Sequence, residues 1–270
     1  MGFLSTLADS WSASESMLCV GLDPDLDRLP AGIARDNNGI ETFCREIVTA
    51  TADIACAFKP QIAHFAARGA EAQLERICKF IREEYPSVVL VLDAKRGDIG
   101  STAEYYAMEA FDRYGAHAVT VNPFMGTDSL VPFLSHKNGA AIVLCRTSNA
   151  GGSELQNQLV NGEPVYRVIA RRAANEWSLI GEVGLVVGAT FPEELAHVRA
   201  EAPNLPLLVP GVGAQGGDVE ATVNAGRDTN GYGLMINSSR AIIYANSGED
   251  FATHARNAAI ATRDAIRSVR

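Results

Sequence analysis

Between Asp93 and Asp98 the chain sets four ionisable side chains within six residues, directly after the apolar run Ser87-Val88-Val89-Leu90-Val91-Leu92. The run predicts a fully buried strand. Alternation along a strand would send Asp93 and Lys95 to one face and Ala94 to the other. A carboxylate and an ammonium at the end of a buried strand are costly to desolvate. The plain explanation is a structural ion pair, with Asp98 as N-cap of the helix that follows. Lys59 shifts the balance toward chemistry, because it ends a second apolar run, Ala55-Cys56-Ala57-Phe58-Lys59-Pro60-Gln61. If the two strands are neighbours, two lysines face two aspartates. Such an array keeps carboxylates ionised and fixes ammonium positions, which makes a preorganised electrostatic site.

A second constellation is Pro210-Gly211-Val212-Gly213-Ala214-Gln215-Gly216-Gly217-Asp218. Its glycines fit G-x-G-x-x-G, but only one strand candidate follows, and Asp228 lies in a Gly/Asn-rich turn rather than at a strand end. A dinucleotide fold is therefore a poor explanation. A phosphate grip is a better one: glycines let backbone N–H groups approach an anion, and Gln215 can donate its amide. Arg240, in Asn237-Ser238-Ser239-Arg240, would add a bidentate contact. Other features are weaker. Asp25 reads as a turn former, Arg171 and Arg172 as a solvated helix face, and the Gly-rich 149–153 stretch as a substrate cover or a plain surface loop.

These residues need elements to hold them. Strand candidates cover 17–23, 55–61, 87–92, 116–122, 140–147, 182–189, 205–210 and 233–237. Helical patterns cover about 2–14, 40–52, 66–84, 128–136, 164–179 and 250–268, and Pro192 opens another. One βα unit recurs roughly every thirty residues. Fully buried strands between helices imply a parallel sheet, and eight of them suggest an α/β fold of the (β/α)₈ TIM barrel type. An open doubly wound sheet is the competing architecture. No linker divides residues 1–270, so a single domain is expected, with the N-terminal helix closing one end and an inserted loop at about 148–165 after strand five. Barrel active sites sit at the C-terminal strand ends. In this chain those ends carry Asp23, Lys59, Asp93 with Lys95, Asn122, Thr147 with Ser148, the Gly211 loop and Asn237 to Arg240.

The bulk properties narrow the partners. With 270 residues, 47% hydrophobic and 20% charged, the chain can bury a substantial core. A net charge of −9 argues against nucleic acid and anionic membranes, but leaves an anionic small substrate possible in a basic pocket. Five cysteines without a C-x-x-C pair read as buried free thiols in a reducing compartment. The five histidines show no zinc spacing. No leader pattern or membrane-length apolar run is visible, so a cytoplasmic protein is expected.

Asp93-x-Lys95-x-x-Asp98-Ile99-x-x-Thr102, Lys59, the Pro210–Asp218 loop and Arg240 together resemble the orotidine 5′-phosphate decarboxylase family. Arg96-Gly97, the Asn237-Ser238-Ser239-Arg240 ending and the insertion after strand five are similar to its bacterial type 2 branch. The resemblance runs from Asp23 to Arg240. It implies cofactor-free and metal-free decarboxylation of a nucleotide to UMP, with Lys95 as proton donor to C6 and Asp93 near the departing carboxylate. It implies further that Lys59 bridges Asp93 and the ribose, that Asp23 binds ribose, and that Gly213, Gln215 and Arg240 hold phosphate. Asp98 and Thr102 would reach the partner's site in a homodimer. Ser148, with Thr147 as the alternative, would read the pyrimidine edge, although Arg146-Thr147-Ser148-Asn149 departs from the commoner family pattern. Two other readings stay open. One is a Mg²⁺-dependent sugar-phosphate decarboxylase or aldol-type synthase with a carboxylate where this chain has Lys59. The other is a barrel that only binds nucleotide.

Overall fold

The computed structural model describes residues 2–212 and 217–270. Eight parallel strands close into a barrel: β1 Leu18–Leu22, β2 Ala57–Pro60, β3 Val89–Arg96, β4 Ala118–Val121, β5 Ala140–Arg146, β6 Val183–Val187, β7 Leu207–Pro210 and β8 Leu234–Ser238. Each strand pairs with its sequence neighbour, and β8 returns to β1 with Leu18 opposite Ile236. The open doubly wound alternative is therefore excluded. Nearly every strand position is buried, because the barrel interior takes one set of alternating side chains and the helical ring takes the other.

The N-terminal helix, Phe3–Ser14, packs under the N-terminal ends of the strands. Phe3 and Leu7 pack against interior side chains of several strands, among them Cys19, Ala57, Val89, Ile142 and Met235. All five cysteines are buried free thiols. Among the described residues no helix is long and apolar enough to cross a membrane.

Three local expectations change. The helix expected over 66–84 is two helices, Ile62–Ala66 and Glu71–Glu84, separated where Gly69 takes φ +62 and the Ala70 amide reaches back to Phe65 O. A left-handed residue of this kind ends a helix and re-aims the chain. The expected loop over about 148–165 is ordered as a short helix, Gly152–Gln156, and a two-stranded ribbon, Leu159–Val160 with Glu163–Pro164. Asp98 is not an N-cap: the helix Gly100–Met108 is preceded by Ile99, and the Asp98 carboxylate accepts the Ile99 amide at 2.8 Å. Asp25 and Asp228 do form turns, each accepting backbone amides two residues on.

Candidate active site

The end of β3 is not a regular strand. From Leu92 to Arg96 it advances four residues while β4 advances two, from Val119 to Val121. The excess forms a bulge containing Asp93, Ala94 and Lys95, and Lys95 takes φ +46, one of three non-glycine residues with positive φ among those described. Asp93 and Lys95 still meet, through this kink rather than through simple alternation: Lys95 Nζ donates to Asp93 Oδ1 at 2.7 Å. Lys59 Nζ donates to Asp93 Oδ2 at 2.9 Å, which the direct pairing of β2 with β3 makes possible. The Lys59 and Asp93 side chains are 5% and 10% exposed and that of Lys95 is 48% exposed, so Lys95 alone presents an open face.

The electrostatics follow from this geometry. Burial would raise the Asp93 carboxyl, but the two ammonium groups outweigh it and hold the group well below the usual carboxylate range. Burial would likewise depress Lys59, yet Asp93 and then Asp23 raise it above an ordinary lysine. Both members stay charged together.

A cavity of about 540 Å³ opens above the array. Lys59, Asp93, Lys95 and Thr120 line it together with the apolar Leu144, Val186 and Leu208 and the polar Ser148 and Asn149. A smaller cavity of about 220 Å³ shares Lys59, Asp93 and Pro210 with it and continues past Asp23, Gln61, Ser239 and Arg240. Asp23 Oδ1 is buried without a hydrogen-bond partner among the described residues, so it is ready for a hydroxyl donor. Arg240 opens the short helix Arg240–Ile243 after β8 and has no carboxylate partner among the described residues. Gly213 and Gln215 lie outside those residues; the ends of their loop meet where Gly217 N donates to Gly211 O at 3.2 Å.

Arg146, fully buried at the end of β5, organises the part of the cavity wall that Thr147 and Gln156 line. It donates to Glu194 Oε2 at 2.5 Å, Thr147 O at 2.9 Å, Gln156 Oε1 at 3.2 Å and Ser153 Oγ at 2.9 Å, and stacks on Phe191. Gln156 in turn accepts the Thr147 amide and donates to Thr147 Oγ1, each at 2.9 Å, and that hydroxyl bonds Asn149. Thr147 is therefore occupied, whereas the Ser148 hydroxyl has no such bond among the described residues. Gly188 lets Ser148 sit close, since a Cβ there would stand 2.7 Å from Ser148 Cα.

Asp98 and Thr102 do not join the array within one chain. They lie on the segment after β3, where Ile99, Tyr105 and Met108 are exposed apolar side chains, with Phe124 and Met125 exposed after β4. Sequence reasoning missed Thr120, Arg146 and Gln156. Arg146 carried the same signal as Lys59, a charge ending an apolar strand. Thr120 looked like an ordinary β-branched strand residue, and Gln156 lay in a stretch read as a loop.

Residues 16–254 match the profile of the orotidine 5′-phosphate decarboxylase / HUMPS family. The orotidine 5′-phosphate decarboxylase of Ralstonia pickettii is 60% identical over 270 residues, covering 100% of both chains. The structure of Leishmania donovani OMP decarboxylase superposes with a TM-score of 0.86 at 39% identity, covering 100% of this chain and 98% of that one. That organism's UMP synthase gives 0.89 at 40% identity, this chain being covered completely and spanning 56% of the longer protein.

Proposed function

The chain belongs to the orotidine 5′-phosphate decarboxylase / HUMPS family, and on that premise we propose that the Lys59–Asp93–Lys95 array carries the reaction without metal or cofactor. The overall conversion, orotidine 5′-phosphate to UMP and CO₂ in pyrimidine nucleotide synthesis, is that of its relatives. The pyrimidine occupies the larger cavity and the ribose phosphate the smaller one. The bond from C6 to the carboxylate breaks, CO₂ leaves, and the electron pair stays at C6 in an orbital the ring π system does not delocalise. The Lys95 ammonium stabilises that pair and then gives it a proton, forming the C6–H bond of UMP; solvent reprotonates the amine. The single observation carrying this reading is that Lys95, held by Asp93, is the array member with an open face on the cavity. Two ammonium groups already neutralise Asp93, and such a set repels a divalent cation.

Asp93 stands beside the departing carboxylate, and Lys59 links it to the ribose. Asp23 accepts a ribose hydroxyl with its unsatisfied oxygen. Arg240, with Gly213 and Gln215, holds the phosphate, whose binding energy helps to organise the reacting end. Ser148 reads the pyrimidine edge, a choice favoured because Thr147 is engaged by Gln156 and Asn149. Asp98 and Thr102 serve the partner's site in a homodimer, which the exposed apolar side chains on the same segment support.

The assay follows orotidine 5′-phosphate absorbance in EDTA with wild type and Lys95→Ala. Turnover is expected in the first and not in the second; a requirement for Mg²⁺, or an active Lys95→Ala, overturns the proposal. Saturable binding without an absorbance change would mark a barrel that only binds nucleotide. For the dimer, mixing Lys95→Ala with Asp98→Asn subunits should restore activity through hybrid sites. No recovery, with subunit exchange verified, counts against a shared site.

A further inference from the structure

We propose that Thr120 is a positioning residue for the decarboxylation, its hydroxyl locking the bulge that aims Asp93 and Lys95 at the cavity. The inference rests on the reading of Lys95 as proton donor.

A bulge removes backbone groups from the strand ladder, and buried N–H groups must find other partners. Here the amides of Ala94 and Lys95 both donate to Thr120 Oγ1, each at 3.0 Å. Thr120 is 1% exposed and sits on β4 between Val119, opposite Leu92, and Val121, opposite Arg96, so it faces the extra residues directly. A hydroxyl has two lone pairs and one proton. With both lone pairs engaged by amides, the proton has one destination, Asp93 Oδ1 at 2.8 Å. Asp93 Oδ1 therefore receives Thr120 and Lys95, while Oδ2 receives Lys59.

One side chain thus ties together three consecutive residues of the bulge. A left-handed lysine persists only where its surroundings over-determine it. At Lys95 the amide is held by Thr120 and the ammonium by Asp93, which Thr120 also holds. Valine has the shape of threonine and lacks the hydroxyl, so it would fill the same space while releasing both amides and one donor to Asp93. The ammonium would then sample positions off the C6 carbon, which lowers the rate of the chemical step more than substrate affinity.

The test compares Thr120→Val, Thr120→Ser and Lys95→Ala in full-length protein by kcat, KM and UMP binding, with thermal unfolding as the control for folding. Thr120→Val should lose about 10- to 100-fold in kcat, the worth of a hydrogen bond to a charged group, with KM and UMP affinity within about threefold. Thr120→Ser, which restores the hydroxyl, should stay within about threefold of wild-type kcat. The acid limb of the kcat profile should move to higher pH in Thr120→Val, because a carboxylate that loses a donor takes up a proton more readily, and should not move in Thr120→Ser. A merely structural role would lower the unfolding temperature and leave kcat and the pH limb alone. If Thr120→Val does not fold, Thr120→Cys, which is close in volume and a weak donor, takes its place with the same expectation. Wild-type kcat in the hydroxyl-free variant, or a serine variant as impaired as it, overturns the proposal while Lys95→Ala remains inactive. An active Lys95→Ala instead overturns the proton-donor reading on which it rests.

Discussion

Two buried charge clusters sit at the C-terminal ends of strands of the same barrel, and they differ in how completely they are satisfied. Arg146 is enclosed: its donors reach Glu194, Thr147, Gln156 and Ser153, and Phe191 covers its face. Arg146 is not among the residues lining either cavity, and the cluster ties the segment after β5 to the start of the helix Pro192–Glu201. The Lys59–Asp93–Lys95 array is equally connected at its base, yet the side chain of its outermost lysine is 48% exposed and lines the cavity. Both clusters are costly to desolvate. In one that cost is offset by protein partners and the result is a clamp; in the other the outermost lysine faces the cavity.

The difference predicts opposite signatures for substitutions on the two sides. Asp93→Asn should lower kcat by about 10³-fold or more, because both ammonium groups lose the charge that fixes them. Steady-state turnover of folded protein measures this; a loss under tenfold would place the array among structural ion pairs. Arg146→Met should reverse the balance, costing about 2–4 kcal/mol in denaturant unfolding while kcat falls by no more than about tenfold. A larger rate loss at unchanged stability would move Arg146 into the reaction. Gly188→Ala, whose Cβ would press on Ser148, should cost about 1–3 kcal/mol and raise KM several-fold with kcat nearly intact. An unchanged KM would remove Ser148 from substrate binding.

The smallest effect belongs to pH. Asp93 is depressed, so its contribution to stability is complete above the unfolded carboxylate value of about 4 and is lost as pH falls through its lower folded value. Lys59 is raised, so its contribution is complete below about 10 and is lost only as pH rises through its higher folded value. Between about pH 5 and 9 neither group titrates, and unfolding free energies of wild type and the Lys59→Met, Asp93→Asn double variant should run parallel over that range. Divergence near neutrality would mean that the array is not fully charged in the folded protein.

The barrel was legible in the sequence because eight apolar runs spaced by amphipathic helices admit few arrangements, and the charges ending those runs marked the face where the cavities lie. The array was legible because Lys59 and Asp93 lie on consecutive strands, which a barrel makes neighbours. The bulge was not: alternation predicts that Asp93 and Lys95 share a face, and they do meet, but through a left-handed lysine and two extra residues that no periodicity reveals. Thr120 was hidden for the same reason, since its role exists only once the bulge leaves two amides for it to hold. Arg146 shows the limit of the strand-end signal. A charge at the end of a buried strand says that something is held there, and only the partner list separates a clamp from a site.

The most direct test measures turnover of orotidine 5′-phosphate and binding of UMP in the same preparations of wild type and Lys95→Ala. The expected result is UMP affinity within about tenfold of wild type, unfolding unchanged within about 1 kcal/mol, and kcat lower by at least about 10³-fold. Lys95→Ala that still decarboxylates at a rate near wild type, or that loses binding and turnover in equal measure, would contradict the assignment of Lys95 to the reacting carbon.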